Sequence, residues 1–250
     1  NFVAAPASTN DYIDVDGNLV AGSLGSPSIQ QLAGPSSGTG VWTVQYRITG
    51  SVNGFKELTL SCLPPEQCER VFTTSGTTRE VKGRHFHPHL QVWNASMRRH
   101  FADCVGPLPV RMGILFPSEA EMPNSSLAHY LQIALQDHGL AGSRQLMHTE
   151  GLDSAALLAL VQQAQTDGQP LALLGATYSF VHLMDALPDA DLRLPAGSWL
   201  LDTGGFKGRS REIPMEAFYA QLSNTFGVPR ERCLNMYGMT ELSPVSHATP

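Results

Sequence analysis

The sequence predicts an α/β fold, a largely parallel sheet with flanking helices, joined to a β-rich N-terminal segment. Three observations predict it. From residue 110 onward, short apolar runs alternate with stretches of helical periodicity, the order that builds parallel sheets. Glycine or proline marks most of the boundaries between these stretches. Three glycine-bearing loops, at 73–78, 202–208 and 237–241, each follow a predicted strand. In such sheets ligands bind beyond the C-terminal ends of strands, so the three loops are treated as one site.

The elements follow in order. Residues 11–22 predict a hairpin turning at Asp16-Gly17-Asn18, residues 34–40 a flexible connection, and 41–48 a strand. The chain thus divides into a β-rich segment over 1–50 and a core over 51–250. Val71 and Phe72 close a strand. Residues 87–104 predict a helix, with Leu90, Trp93, Met97, Phe101 and Cys104 spaced by three or four. Residues 110–116 form a short apolar strand ending at Pro117. A helix over 125–138 stops at Gly139. Another, capped by Asp153 and ending near Gly168, carries Leu157, Leu160 and Val161. Residues 171–174 are a strand with Gly175 as a turn, 178–187 a helix, and 198–202 a strand. Pro214 suits the first position of a helix bearing Phe218, Tyr219, Leu222 and Phe226. Residues 233–236 are the last strand.

Composition excludes several classes. The chain has 250 residues, 42% hydrophobic and 15% charged, which are globular values. A net charge of −6 gives no footprint for a nucleic-acid partner. No run of 18 apolar residues implies a membrane span, and the first residues carry no secretory signal. The four cysteines form no C-x-x-C pair, so reduced thiols and a cytoplasmic location are expected.

The chemistry concentrates in two stretches. Thr73, Thr74, Ser75, Thr77 and Thr78 set five hydroxyls around Gly76. Such a run has little core-forming ability. It offers backbone N–H and O–H donors to phosphate oxygens, although a Ser/Thr-rich surface turn reads the same way. Lys82 supplies a point charge. The second stretch is Tyr237-Gly238-Met239-Thr240-Glu241, and between the two lies Gly204-Gly205. Alternate histidines at 85, 87 and 89 suggest a metal site, with Pro88 between them and no carboxylate or cysteine companion; a polar helix start is the blander reading. Asp14, Asp16 and Gly17 lack the glutamate and spacing of a calcium loop. Ser75 lacks the G-x-S-x-G elbow of a hydrolase nucleophile. Cys104 and Cys233 sit in apolar patterns and read as small core residues.

T-S-G-T-T at 74–78 followed by Lys82-Gly83, then Y-G-M-T-E at 237–241, resembles the two signatures of the adenylate-forming enzyme superfamily. Phe55-Lys56, the L-A-L-L-G-A-T-Y-S-F stretch at 171–180 and T-G-G-F-K-G at 203–208 are similar to the acyl-protein synthetase branch of the bacterial luminescence fatty-acid reductase complex. Phenylacetate-CoA-ligase-like enzymes are near relatives. The resemblance covers roughly 54–243; within it, Arg79 stands where the family loop carries glycine. It implies ATP-dependent activation of a long-chain fatty acid as acyl-AMP, with Mg²⁺, and transfer to a protein thiol. The implied partners are the carboxylic acid and an acyl-accepting protein or reductase subunit; the alternatives are an acyl-CoA ligase of the phenylacetate-CoA-ligase type, with coenzyme A as acceptor, or a non-catalytic nucleotide- or acyl-binding module. The implied roles are phosphate binding by Thr74, Ser75, Gly76, Thr77, Thr78 and Lys82. Thr240 is assigned to the α-phosphate, Glu241 to the metal, and Tyr237, Gly238, Gly204 and Gly205 to the purine. The family's ribose-binding acid, lid lysine and acyl-accepting cysteine have no counterpart before Pro250. The chain is therefore expected to be an incomplete core that binds ATP–Mg²⁺ weakly without turnover.

Overall fold

A computed structural model describes residues 61, 63–74, 82–106, 108–238 and 240 with their side chains, and the backbone of strands at 12–13, 19–20, 28–33, 45–49 and 245–248. Two compact units divide the chain, residues 1–88 and 89–250.

The first unit contains three antiparallel strand pairs among its described residues. β1 (Tyr12–Ile13) pairs with β2 (Leu19–Val20), as the expected hairpin requires. β3 (Ser28–Ala33), which no sequence signal marked, pairs with β4 (Gln45–Thr49), where a strand over 41–48 was expected. β5 (Arg70–Thr73) pairs antiparallel with β6 (Arg84–His87). The expectation of a helix from residue 87 is corrected here. A residue before proline is pushed towards extended backbone, and His87 precedes Pro88. His87 therefore ends a strand, and the helix begins later, as α1 (Gln91–Cys104).

The second unit is a three-layer α/β assembly. Its six-stranded sheet runs β14–β13–β12–β11–β7–β8, from β7 (Arg111–Leu115), β8 (Arg144–Gln145), β11 (Leu171–Ala176), β12 (Trp199–Thr203), β13 (Cys233–Gly238) and β14 (Val245–Ala248). All neighbours are parallel except β14, which lies antiparallel on the edge. A small antiparallel pair, β9 (Met147–His148) and β10 (Gly151–Leu152), stands apart. Helices α2 (Ser126–His138), α3 (Ser154–Asp167), α4 (Thr177–Ala186) and α5 (Met215–Phe226) complete the unit.

Side-chain alternation separates the two faces. Leu171, Leu173, Leu200 and Cys233 join a buried cluster with Leu157, Leu160 and Val161 of α3, Phe180 and Leu183 of α4, and Phe218, Leu222 and Phe226 of α5. The opposite face carries Trp199, whose ring lies 6.4 Å from Phe101 of α1. Phe101 in turn meets Tyr130 of α2 edge-on at 5.8 Å. The helices end as the sequence suggested. Ser125 and Asp153 accept from the amides of Ala128 and Ala156, and Gly168 takes the left-handed conformation after α3. Pro214 is the residue before the first turn of α5 rather than within it.

Gly175 is not a turn. It lies inside β11, opposite Leu115 of β7, where a Cβ would come within 2.4 Å of the Leu115 carbonyl oxygen. The missing side chain permits close approach of two strands, a second use of glycine that looks identical in sequence. The strand order reverses at this contact: β7 is followed on one side by β8, and the chain then returns to β11 on the other.

Candidate functional site

The site is built on the C-terminal ends of β12 and β13, adjacent parallel strands with Thr203 opposite Met236. Thr203 is held there by its own hydroxyl, which donates to the Met236 carbonyl at 2.7 Å. The chain then turns through Gly204 and Gly205, whose φ values of 80° and 67° lie in the left-handed region that glycine enters without a steric cost. Open space surrounds the position a Gly205 Cβ would take, while at Gly204 it would lie 2.7 Å from Lys207 Nζ.

A polar cluster holds this turn from below. The Gly205 N–H donates to Thr177 Oγ1 at 3.1 Å. The Thr177 hydroxyl donates to Asp202 Oδ2 at 2.7 Å and lies 3.0 Å from the Thr203 carbonyl. Asp202 also accepts from Tyr219 Oη at 2.9 Å and from Asn235 Nδ2 at 3.3 Å. The Arg230 guanidinium sits 3.6 Å from the centre of the Tyr219 ring, a cation–π contact. Asp202 is 1% exposed, and burial pushes its carboxyl above the ordinary carboxylate value despite three donors that favour the charged form. Thr177 is likewise fully buried.

On the neighbouring strand Tyr237 and Gly238 belong to β13 itself, which corrects the expectation that the loop begins at residue 237. Pairing with β14, Tyr237 against Ser246 and Gly238 against Val245, extends the strand by two residues. Tyr237 is 59% exposed, so a large flat ring stands open at the strand end. Thr240 follows, its hydroxyl 3.4 Å from that of Ser126 in the first turn of α2. Gly204, Gly205, Tyr237, Gly238 and Thr240 thus share one edge of one sheet. Glu241 lies outside the described residues.

Thr74 and Lys82 belong to the first unit. Thr74 closes the base of the hairpin loop: its N–H donates to the Gly83 carbonyl, and its Oγ1 accepts from the Gly83 N–H, both at 2.9 Å. Lys82 is exposed beside this closure. Ser75, Gly76, Thr77 and Thr78 lie outside the described residues.

Other sequence candidates find local explanations. His85 and His87 share a strand face with ring centres 4.6 Å apart, and among the described residues no three metal-ligating side chains converge. His138 stacks on Phe101. Cys233 is buried in the core, and burial raises its thiol pKa, as it does for Cys104. The residues that sequence reasoning missed are Thr177, Asp202, Tyr219, Asn235 and Ser126. One signal was present: Asp202 ends the apolar run Trp199-Leu200-Leu201, and a carboxylate on a buried strand demands partners.

No protein-family model and no curated protein sequence matches the chain. Similar solved structures include the amide bond synthetase McbA from Marinactinospora thermotolerans, at 20% identity and a TM-score of 0.43, covering 73% of this chain and 33% of that one. They also include the ATP-bound RpMatB-BxBclM chimera B3, at 15% identity and a TM-score of 0.46, covering 75% of this chain and 32% of the other. The chain spans about a third of the length of each.

Proposed function

We propose that this chain belongs to the core of an ATP-dependent ligase that activates a carboxylic acid as its acyl adenylate. One observation carries the reading. Thr203-Gly204-Gly205 and Tyr237-Gly238 lie at the same end of adjacent parallel strands, with Thr240 close by. A purine fits this edge: an exposed aromatic face at Tyr237, and a left-handed glycine turn with open space at Gly205. In the reaction a carboxylate oxygen attacks the α-phosphorus of ATP, the bond to the β-phosphate breaks, and pyrophosphate leaves. Such transfer depends on positioning and electrostatic stabilisation. Thr240 presents a hydroxyl donor to the α-phosphate. Thr74, Ser75, Gly76, Thr77, Thr78 and Lys82 are the sequence's candidates for contacts to phosphate oxygens. Glu241 supplies a hard oxygen ligand for Mg²⁺, which neutralises phosphate charge when bound.

Within this reading the substrate is a long-chain fatty acid and the acceptor a protein thiol. The support is the similarity of residues 55–56, 171–180 and 203–208 to acyl-protein synthetases. Among the described residues no helix is long and apolar enough to cross a membrane.

The test is carboxylate-dependent ATP–pyrophosphate exchange, measured with the 250-residue chain and with any longer form of the protein, across fatty and aromatic acids. Exchange should require the acid and fall about 10²-fold in Thr240→Ala, the usual loss for one oxyanion donor, with the melting temperature unchanged. Undiminished exchange in that variant refutes the assignment of Thr240. ATP binding without exchange in every form indicates a binding module, and formation of a coenzyme A ester indicates an acyl-CoA ligase, with coenzyme A in place of a protein thiol as acceptor.

A further inference from the structure

We propose that Thr177 and Asp202 are positioning residues for the nucleotide, acting through the Gly204–Gly205 turn; the identity of the ligand rests on the adenylation reading above. Neither residue reaches the ligand-facing surface, for Asp202 is 1% exposed and Thr177 is fully buried. Their effect is transmitted by one hydrogen bond, from the Gly205 N–H to Thr177 Oγ1 at 3.1 Å.

The argument begins with the freedom of the turn. Two consecutive glycines in the left-handed region have more conformations open to them than any other pair, and nothing lies within 4 Å of the Gly205 Cβ position to restrict them sterically. A turn meant to offer a flat backbone surface to a ring therefore needs an anchor from elsewhere. Thr177 supplies it from the first residue of α4, on the neighbouring strand–helix unit. A threonine hydroxyl rotates, and one that both donates and accepts needs a fixed acceptor to set its direction. Asp202 Oδ2 is that acceptor, at 2.7 Å. Tyr219 and Asn235 hold the carboxylate in turn, at 2.9 and 3.3 Å. Burying a carboxylate this deeply opposes folding on its own account. The cluster instead fixes one orientation of one amide, at the residue where backbone and ligand meet.

The experiment compares wild type with Thr177→Val, Thr177→Ser and Tyr219→Phe, reading the exchange rate of the Gly205 amide by nuclear magnetic resonance and the affinity for ATP–Mg²⁺ by calorimetry. Valine keeps the shape of threonine and removes the hydroxyl. It should speed Gly205 exchange about tenfold, the net worth of one hydrogen bond, and weaken ATP–Mg²⁺ by a similar factor. Serine should restore both. Tyr219→Phe removes one of the donors that hold the carboxylate; it should speed Gly205 exchange by less than Thr177→Val does, with ATP affinity following Gly205 exchange rather than melting temperature across the variants, which a purely structural role for the cluster does not allow. Unaltered Gly205 exchange in folded Thr177→Val overturns the proposal, as does faster exchange with undiminished ATP affinity. If wild type shows no ATP affinity while Gly205 exchange still follows Thr177, the anchoring of the turn stands and the adenylation reading falls. Should Thr177→Val not fold, Asp202→Asn tests the same link from the acceptor side, with the same expected directions and the same refuting results.

Discussion

Replacing Gly175 by alanine tests the closest backbone approach in the sheet. The added Cβ would stand 2.4 Å from the Leu115 carbonyl oxygen, 2.7 Å from the Leu115 Cβ and 2.9 Å from its carbonyl carbon. Ordinary contact begins near 3.4 Å, so β7 and β11 must part by about 1 Å at this point. Both strands lie inside the sheet, with β12 and β8 beyond them, and neither can swing freely. Overpacking that moves backbone costs roughly 1–3 kcal/mol, while alanine recovers about 0.5–1 kcal/mol through a less free unfolded chain. The balance is a net loss of about 1 kcal/mol, which lowers the melting temperature of a chain this size by about 2–4 °C. Gly113→Ala is the internal comparison. The three atoms nearest its Cβ would be methyl groups of Leu146, Leu173 and Leu160, at 2.6, 2.8 and 3.0 Å, which rotate aside more cheaply than backbone moves. Urea and thermal unfolding of both variants, followed by near-ultraviolet circular dichroism, give the order. A Gly175→Ala loss below about 0.5 kcal/mol, or a larger loss in Gly113→Ala, refutes the reasoning.

Two further outcomes concern stability alone. Glu121 accepts from the Ser118 hydroxyl at 2.5 Å and from the amides of Ser118 and Thr149, and these bonds, the hydroxyl first, hold its carboxyl down to about 2. A depressed folded-state pKa stabilises above the unfolded value of about 4.5 and loses that contribution as pH falls towards about 2. Glu121→Gln should therefore cost ~1 kcal/mol at neutral pH, after allowing for solvent screening, and its difference from wild type should vanish in acid; a difference that persists at pH 2 contradicts this. Asp153→Ala removes the cap from the Ala156 amide and should cost about 1 kcal/mol by urea denaturation, with restoration by Asp153→Ser; equal losses in both variants would assign the effect to something other than the cap.

Much of the second unit was legible because its segments are short and sharply bounded. Ser125, Asp153, Gly139 and Gly168 stand where the helices begin and end, since capping chemistry is local and needs no partner distant in sequence. Gly175 and Tyr237 show where that legibility stops. Whether glycine turns a chain or lets two strands close depends on what stands opposite, and Leu115 is sixty positions away. The extension of β13 through Tyr237 and Gly238 depends on β14, and β8, a two-residue strand, exists only because β7 offers it an edge. The candidate site divides likewise. The residues proposed to face the ligand form contiguous motifs. Their supports, Thr177, Asp202, Tyr219 and Asn235, come from four separate elements and converge only in three dimensions.

The burial of that support bears on how such a protein changes over generations. A turn anchored from underneath keeps its course whatever is written on the exposed surface around it. On the proposed reading, substitutions at the open rim alter which molecule is accepted without disturbing the backbone that receives it. Substitutions beneath it are paid for at once in folding. The architecture thus separates what may drift from what may not, and new specificities on this scaffold should be sought among the exposed residues beside Tyr237 and Lys207.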